Sequence, residues 1–369
     1  MATYGTVNAE NITSSTGGVI SPNITSLRNR IINGAMSVSQ YNGTSSVNIG
    51  TSGAGSQYAI DRWNFDFSQA PKLSAQQSTN APTGFYNSLL VTSLAATTIG
   101  TSDYFQVNQK IEAFNTTDLA FGTANAQSVT LSFWVYSSLT GSFSGALKNS
   151  AQSRAYPFSY TISSASTWTQ ISITIPGDTS GTWIVGTNGI GLTVNFDLGI
   201  GTTYVTTGGA WASGNYGGVT GSVNLAATNG ATWYVTGVQL EKGAQATSFD
   251  YRPYGTELAL CQRYYFQNTG LASTTTNFGS ATSISATQAY IQVPFPVSMR
   301  TGPTISYGGT VNVSDSNTYD LAISAIVTNQ SNTNYGSGKV TTASGQTLYR
   351  PQTLWVNSTA SFLAFTAEL

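Results

Sequence analysis

Covalent catalysis needs a nucleophile with a base beside it, and this sequence lacks the usual base. It contains no histidine and a single cysteine, Cys261. A Ser–His–Asp relay is impossible. A cysteine nucleophile would lack its customary partner, and a zinc site would lack its usual ligands. Cys261 therefore reads as a small buried hydrophobe, and no intrachain disulfide can form. Carboxylates remain as a route to catalysis, since glycoside hydrolysis needs two acids at a defined separation. The candidate acidic pairs outside the 239–257 stretch are Asp61 with Asp66, Asp178 with Asp197, and Asp315 with Asp320. None sits in a motif tied to that chemistry. No phosphate-cradling glycine loop or dinucleotide fingerprint is present. The chain reads as a non-enzyme, with carboxylate-based glycan depolymerisation as the minor alternative.

Binding chemistry is better represented. Sugars stack on exposed aromatic rings, and polar faces bearing such rings make Trp134, Tyr136, Trp211 and Tyr216 glycan candidates. Gln239 and Glu241 alternate with Val238 and Leu240. They either grip a sugar or form a solvated or intersubunit face. Arg252, between Tyr251 and Pro253-Tyr254, is either a cation–π or stacking site or part of a rigid linker. In Asp61-Arg62-Trp63, a ligand trio competes with a core tryptophan whose ionic neighbours anchor a strand end or subunit contact. No cofactor is expected. A structural calcium ion would need several oxygen ligands, and Asp103 and Asp250 are its candidates. The 13 Lys and Arg against 14 Asp and Glu are scattered singly, which argues against nucleic acid, where clustered cations neutralise phosphates.

These residues need a scaffold, and the composition says which kind. Charged residues are 7% of the chain, against roughly 25% in an ordinary domain. Aromatics at 12% and abundant β-branched residues exclude disorder. No apolar run approaches the ~20 residues that span a bilayer, so membrane insertion is not expected. Polar uncharged surfaces over β-branched and aromatic interiors suit sheets. Residues 128–136 place Val129, Leu131, Phe133 and Val135 on one face. Residues 168–175 do the same with Ile171, Ile173 and Ile175, and 232–240 repeat the pattern. Further strands are read at 89–91, 104–111, 142–147, 156–162 and 190–196. Residues 28–40 read as a strand and turn, and 58–67 as a core strand. Many short strands between Gly, Pro, Asn and Ser turns indicate a sandwich. A helix is expected over 257–265, with Leu258, Cys261 and Tyr265 on one face. Strands at 287–293, 304–307, 319–327 and 355–365 complete a smaller β domain. The expected fold is all-β: an N-terminal arm and first strands (1–67), a central jelly-roll β-sandwich (68–254), and a short helix with a C-terminal β domain (255–369).

Three segments resemble structural and tail-fibre proteins of tailed phages. The first is Asn29-Arg30-Ile31-Ile32-Asn33-Gly34-Ala35-Met36 with Gln40, followed by Tyr58-Ala59-Ile60-Asp61-Arg62-Trp63. The second is Thr236-Gly237-Val238-Gln239-Leu240-Glu241-Lys242-Gly243, then Ala246-Thr247 and Phe249-Asp250-Tyr251-Arg252-Pro253-Tyr254. It is similar to the close of a jelly roll like those of carbohydrate-binding modules. The third is Glu257-Leu258-Ala259-Leu260-Cys261-Gln262-Arg263-Tyr264-Tyr265. The resemblance spans 28–266. It implies structural or interface roles for Arg30, Asn33, Asp61, Arg62, Trp63, Gln239, Glu241, Arg252, Tyr254, Cys261 and Arg263. It also implies a virion component: a tail-fibre or host-adhesion subunit binding cell-surface glycan. The alternative is a purely structural baseplate, collar or capsid-surface protein. Contact with other virion proteins through the N-terminal region and a homotrimer are expected by analogy. Met-Ala-Thr-Tyr-Gly has neither the charged nor the apolar region of a signal peptide. Synthesis in the host cytoplasm and exposure on the assembled particle are therefore expected.

Overall fold

The computed structural model describes residues 27–271, 274–315 and 321–369, with the short strands Ile12–Thr13 and Val19–Ile20. The arm expected before residue 28 otherwise falls outside the described residues. Among them, two antiparallel sheets face each other across one core. The first has seven strands, in spatial order Ala212–Ser213, Arg154–Ile162, Gly141–Lys148, Ile190–Ile200, Tyr104–Glu112, Trp63–Phe67 and Gly55–Ile60. The second has six: Thr169–Ile175, Val129–Ser137, Thr232–Lys242, Ser88–Ser93, Leu73–Ser78 and Val47–Asn48. The chain crosses repeatedly between them, as in a jelly roll.

Period-two alternation explains the core. Val129, Leu131, Phe133 and Val135 point inward from one sheet, and Leu192, Val194, Phe196 and Leu198 from the other; all are buried. Phe133 and Trp233 pack edge-on or tilted against Phe196, with centroids 5.0 and 5.5 Å apart. Burying each such side chain stabilises by about 1.5–3 kcal/mol. Thr169–Ile175 lies at a sheet edge, so Ile171 and Ile173 are only half-buried and Ile175 alone is sealed.

A helix, Tyr254–Gln262, leads into the C-terminal region. There, six strands close into a barrel in the order Thr276–Ser283, Gln288–Pro294, Tyr335–Thr342, Leu321–Thr328, Asn312–Ser314 and Pro351–Val356. Closure removes the edges that an open sheet would leave unpaired. Tyr265–Thr269, Phe362–Thr366 and Thr304–Gly308 form a three-stranded sheet beside it. Among the described residues no helix is long and apolar enough to cross a membrane.

Several expected elements differ. The helix runs three residues earlier than expected at each end, because Pro253 supplies a fixed φ that suits helix entry. Tyr265 is drawn out of it into pairing with Thr366. Residues 28–40 form no strand: Asn33 and Met36 adopt left-handed φ of 57° and 55° and break the extended run. The run over 58–67 is a hairpin, Gly55–Ile60 with Trp63–Phe67, turning at Asp61-Arg62 with Arg62 at φ 69°. The run over 355–365 divides into two strands around a turn closed by Ser361 N–H to Ser358 O at 3.0 Å. The boundary expected after residue 67 lies inside the seven-stranded sheet, since that hairpin supplies its last two strands.

Sandwich and C-terminal region are joined through arginines. Arg62 and Glu368 form an ion pair with side chains only 1% and 6% exposed. The Arg62 guanidinium also donates to Lys110 O at 2.6 Å and lies 3.6 Å above the Tyr264 ring. Arg263 binds Glu112 with two hydrogen bonds, at 2.6 and 2.9 Å. Arg300 and Asn188 each donate to the other's main-chain carbonyl at 3.0 Å. Breaking a buried pair leaves an uncompensated charge. Arg62→Ala should therefore cost about 3–5 kcal/mol in denaturant unfolding. Lys242→Ala, which removes an exposed partner of Asp118, should cost under about 1 kcal/mol. Equal losses from the two would contradict this account of the junction.

Candidate functional site

The outer face of the six-stranded sheet carries a group of aromatic rings. Inward Val135 forces Trp134 and Tyr136 outward on the same strand. Tyr136 stands opposite Tyr234 in register, with ring centroids 5.0 Å apart. Trp168, just before the edge strand, closes the group at 5.5 Å from Tyr136 and 6.1 Å from Tyr234. Its indole N–H donates to Asn80 Oδ1 at 3.4 Å. Trp134 lies between Gln170 and Thr236 on the neighbouring strands. All four rings are half-buried, and Gln170 and Ser172 beside them are exposed. Such cross-strand pairs fix ring orientation and contribute roughly 0.5–1.5 kcal/mol each. The result is a neutral platform with open aromatic surface and a flanking amide and hydroxyl. The expected pair Trp134 and Tyr136 is thus joined by Trp168 and Tyr234. Their signal was the alternation itself, which puts Tyr234 on an outward position.

Trp211 and Tyr216 lie elsewhere, at the edge of the seven-stranded sheet. Trp211 packs edge-on against Phe121, Tyr156 and Trp183, with centroids at 5.4–5.7 Å. Its N–H donates to Pro176 O at 2.7 Å. The Tyr216 ring lies against the Gly214 backbone. The structure does not bring these two residues to the platform.

The motif residues form one internal weld. Asn29 Oδ1 accepts N–H groups from Ile31 and Leu240, and Arg30 N–H donates to Leu240 O at 3.0 Å. Gly34 O accepts the Val238 N–H at 2.9 Å, and a Cβ at Gly34 would lie 2.2 Å from Val238 O, so only glycine permits this approach. Asn33 donates to Val38 O and Asp61 O, accepts from the Trp63 indole, and gives its N–H to Glu257. The Arg30 guanidinium binds Asp118 bidentately, both bonds 2.8 Å. Arg252 donates to Ile31 O and Asn29 O and pairs with Glu257 at 3.3 Å. Trp63 and Cys261 are fully buried, while Tyr254 points out to solvent. Gln239 and Glu241 grip neither sugar nor solvent: both are buried and pin the 247–250 loop. Gln239 accepts Asp250 N–H at 2.8 Å, and Glu241 takes Thr247 N–H and Oγ1–H at 2.8 and 2.7 Å. Ladder alternation could not reveal this, because the covering loop follows the strand.

The carboxylates are committed individually. Asp61 is held by the Gln40 main chain and side chain. Asp178 is bidentate to Arg154 at 2.6 and 2.8 Å. Asp315 pairs with Arg350 at 3.7 Å, and Asp320 lies outside the described residues. Asp103 accepts from Ser68, Gln69 and the Gly100 N–H, and Asp250 pairs with Arg28 at 3.2 Å. No cluster of three or more His, Cys, Asp or Glu able to hold a metal ion occurs among the described residues. Asp66, Gln106 and Asp197 form a row across the outer face of the seven-stranded sheet. The 217–219 backbone closes over Asp197 and Ser144, and Leu369 O covers Lys110 nearby.

No protein-family model matches the chain, and no curated protein matches it in sequence. Among solved structures it is similar to the enzymatically active domain of bacteriophage CBA120 tailspike protein 4, at 11% identity and TM-score 0.33, over 58% of this chain and 21% of that one. It is similar to TmCBM61 in complex with β-1,4-galactotriose, at 11% identity and TM-score 0.29, over 58% and 99%. It is also similar to the family 11 carbohydrate-binding module of Clostridium thermocellum, at 14% identity and TM-score 0.27, over 53% and 100%. The chain spans about a fifth of the tailspike chain it matches. At these TM-scores the likenesses identify no ligand.

Burial lifts the Asp197 carboxyl from 3.8 to about 7, against hydrogen bonds from Ser144 and Gly199 that favour the ionised form. Burial likewise lifts Asp61 to about 6. Both hold protons in the folded state that the unfolded chain releases near its ordinary carboxylate pKa. Their contribution is full below about pH 4 and is lost as pH rises through about 6 and 7. Asp197→Asn should remove most of the fall between about pH 6 and 7, roughly 1 kcal/mol over that pH unit, and leave the fall due to Asp61 centred lower. Urea titrations at stepped pH that show the same slope in both proteins would refute the assignment.

Proposed function

We propose that this chain is a non-catalytic, glycan-binding subunit of a phage particle, acting as a tail-fibre or host-adhesion protein. The observation that carries glycan binding is the neutral platform of Trp134, Tyr136, Trp168 and Tyr234 on a rigid sheet face. A pyranose presents an apolar C–H face and a rim of hydroxyls. Half-buried rings with one open side match the first, and the Gln170 amide and Ser172 hydroxyl match the second. The platform lacks charge, so it favours neutral sugars over phosphate-bearing or sulfated ones. A non-catalytic role agrees with the separate engagement of Asp61, Asp178 and Asp197. Placement on a virion rests on the three motif segments, and the homotrimer on the same analogy.

A glycan array of host-envelope oligosaccharides should give binders whose affinity falls about tenfold in the double variant Tyr136→Ala, Trp168→Ala, at about 0.5–1.5 kcal/mol per ring. Array binding indifferent to that variant would remove the platform from the reading. The purely structural alternative would bury the same face against neighbouring subunits, and labelling of intact particles with antibody to this face tells the two apart. A stable monomer by mass photometry would end the trimer proposal.

A further inference from the structure

A second aromatic feature flanks the platform and has no role in what precedes. A cleft of about 240 Å³ opens between the 84–87 loop and the start of the helix. Phe85, Phe249 and Tyr251 pack together in its wall, with centroids 4.9–5.5 Å apart. The Tyr251 hydroxyl donates to Gly84 O at 2.9 Å and fixes the loop. Phe85 rests over Gly237, at φ 62°, where a Cβ would come within 2.6 Å of the ring. Three rings nevertheless remain open: Tyr86 is 80% exposed, Tyr251 59% and Tyr254 61%.

We propose that this cleft is a subsite for one neutral sugar ring of an oligosaccharide whose neighbouring rings lie on the Tyr136–Trp168–Tyr234 platform; this rests on the glycan reading above. Size argues for a single ring, since clefts for drug-sized ligands run to roughly 300–1,000 Å³. Charge argues for a neutral one. Arg252 and Glu257 line the inner end but are closed on each other and on the 29–33 backbone. The cleft therefore offers aromatic faces and tyrosine hydroxyls, and no uncompensated charge. Position argues for continuity. Gly237 lies three residues along the strand from Tyr234 with a bulge at its end, at most ~10 Å at ~3.3 Å per residue, within reach of a short oligosaccharide. The loop between the two places touches both: Asn80 binds Trp168, and Asn87 O accepts the Thr236 hydroxyl at 2.7 Å.

The test uses the full chain and glucose, galactose and mannose oligosaccharides from disaccharide to hexasaccharide, by calorimetry and tryptophan fluorescence. The platform contains Trp134 and Trp168, whereas no tryptophan lines the cleft, so a fluorescence change on adding sugar, lost in Trp168→Ala, reports the platform and not the cleft. Tyr86→Ala and Tyr254→Ala should each weaken the longer ligands about fivefold and leave the disaccharide response unchanged. Trp168→Ala should weaken both. Should Tyr254→Ala lower the unfolding midpoint, Tyr254→Leu keeps bulk without the ring and takes its place. Longer ligands that perturb tryptophan fluorescence equally in wild type and tyrosine variants would overturn the subsite and leave the glycan reading standing. No heat and no fluorescence change with any sugar would overturn both. Self-association abolished by Tyr86→Ala, with sugar binding intact, would give the cleft to a second copy and also overturn the subsite.

Discussion

The structure depends on where a charge-poor chain puts its cations. Each of the eight arginines has protein partners, and Arg30 and Arg62 are almost wholly buried. Removing a guanidinium from water costs several kcal/mol, which only a paired carboxylate and saturated hydrogen bonds offset. Arg62 has the paired carboxylate of Glu368, and Lys110 O and the Tyr264 face take up most of the rest, leaving only its buried Nε without a hydrogen-bond partner. Each partner comes from a different stretch of chain, so the guanidinium is satisfied only when hairpin, helix exit and final residues are all in place. Hydrophobic burial would hold each core together without this. The arginines, with the small Ile32–Val38–Cys261–Tyr264 cluster and the Tyr41–Tyr265 stack, set how sandwich and barrel sit against each other.

The same logic separates what was legible in the sequence from what was not. Strands with one face in the core announce themselves by period two; Val129–Ser137 follows that rule closely, and Thr232–Lys242 follows it on either side of a bulge at Gly237. The identity of a polar partner has no such period. Asn33 and Glu257 are 224 residues apart, and nothing local in either motif names the other. Gln239 and Glu241 had the spacing of an exposed row yet are buried, because the segment that covers them is the very next loop. The barrel escaped notice for a related reason. Tyr335–Thr342 is built of Tyr335 followed by Gly, Ser, Thr and Lys with one fully buried apolar side chain, Val340, so its pattern is faint, and closure rather than burial pairs its edges.

Aromatic residues were legible as a class but not as individuals. Trp211 and Trp134 were both read as sugar-stacking rings, yet one is locked in an edge-on cluster and the other stands on an open sheet face. Strand register makes the difference. Trp134 occupies an outward position of a central strand, where the neighbouring strands supply flanks and no lid. Trp211 precedes a two-residue edge strand, where the chain folds back over the sheet margin. A ring becomes a platform only where its own backbone is fixed and nothing later in the chain returns to cover it.

That condition also explains why the platform lies on the six-stranded sheet. On the seven-stranded sheet, the 201–219 segment and the C-terminal residues close over polar rows that contain Asp197 and Lys110. Covering that face requires satisfying buried polar atoms one by one, and Lys148 is left so desolvated that its ammonium falls to about 8. The six-stranded sheet carries mostly uncharged side chains outward, so leaving it open incurs no comparable penalty. A neutral aromatic face can stay exposed on a protein with few charges because half of each ring is already buried against its neighbours. What remains outside is the flat, rigid and uncharged surface that a sugar ring can stack on without displacing any ion.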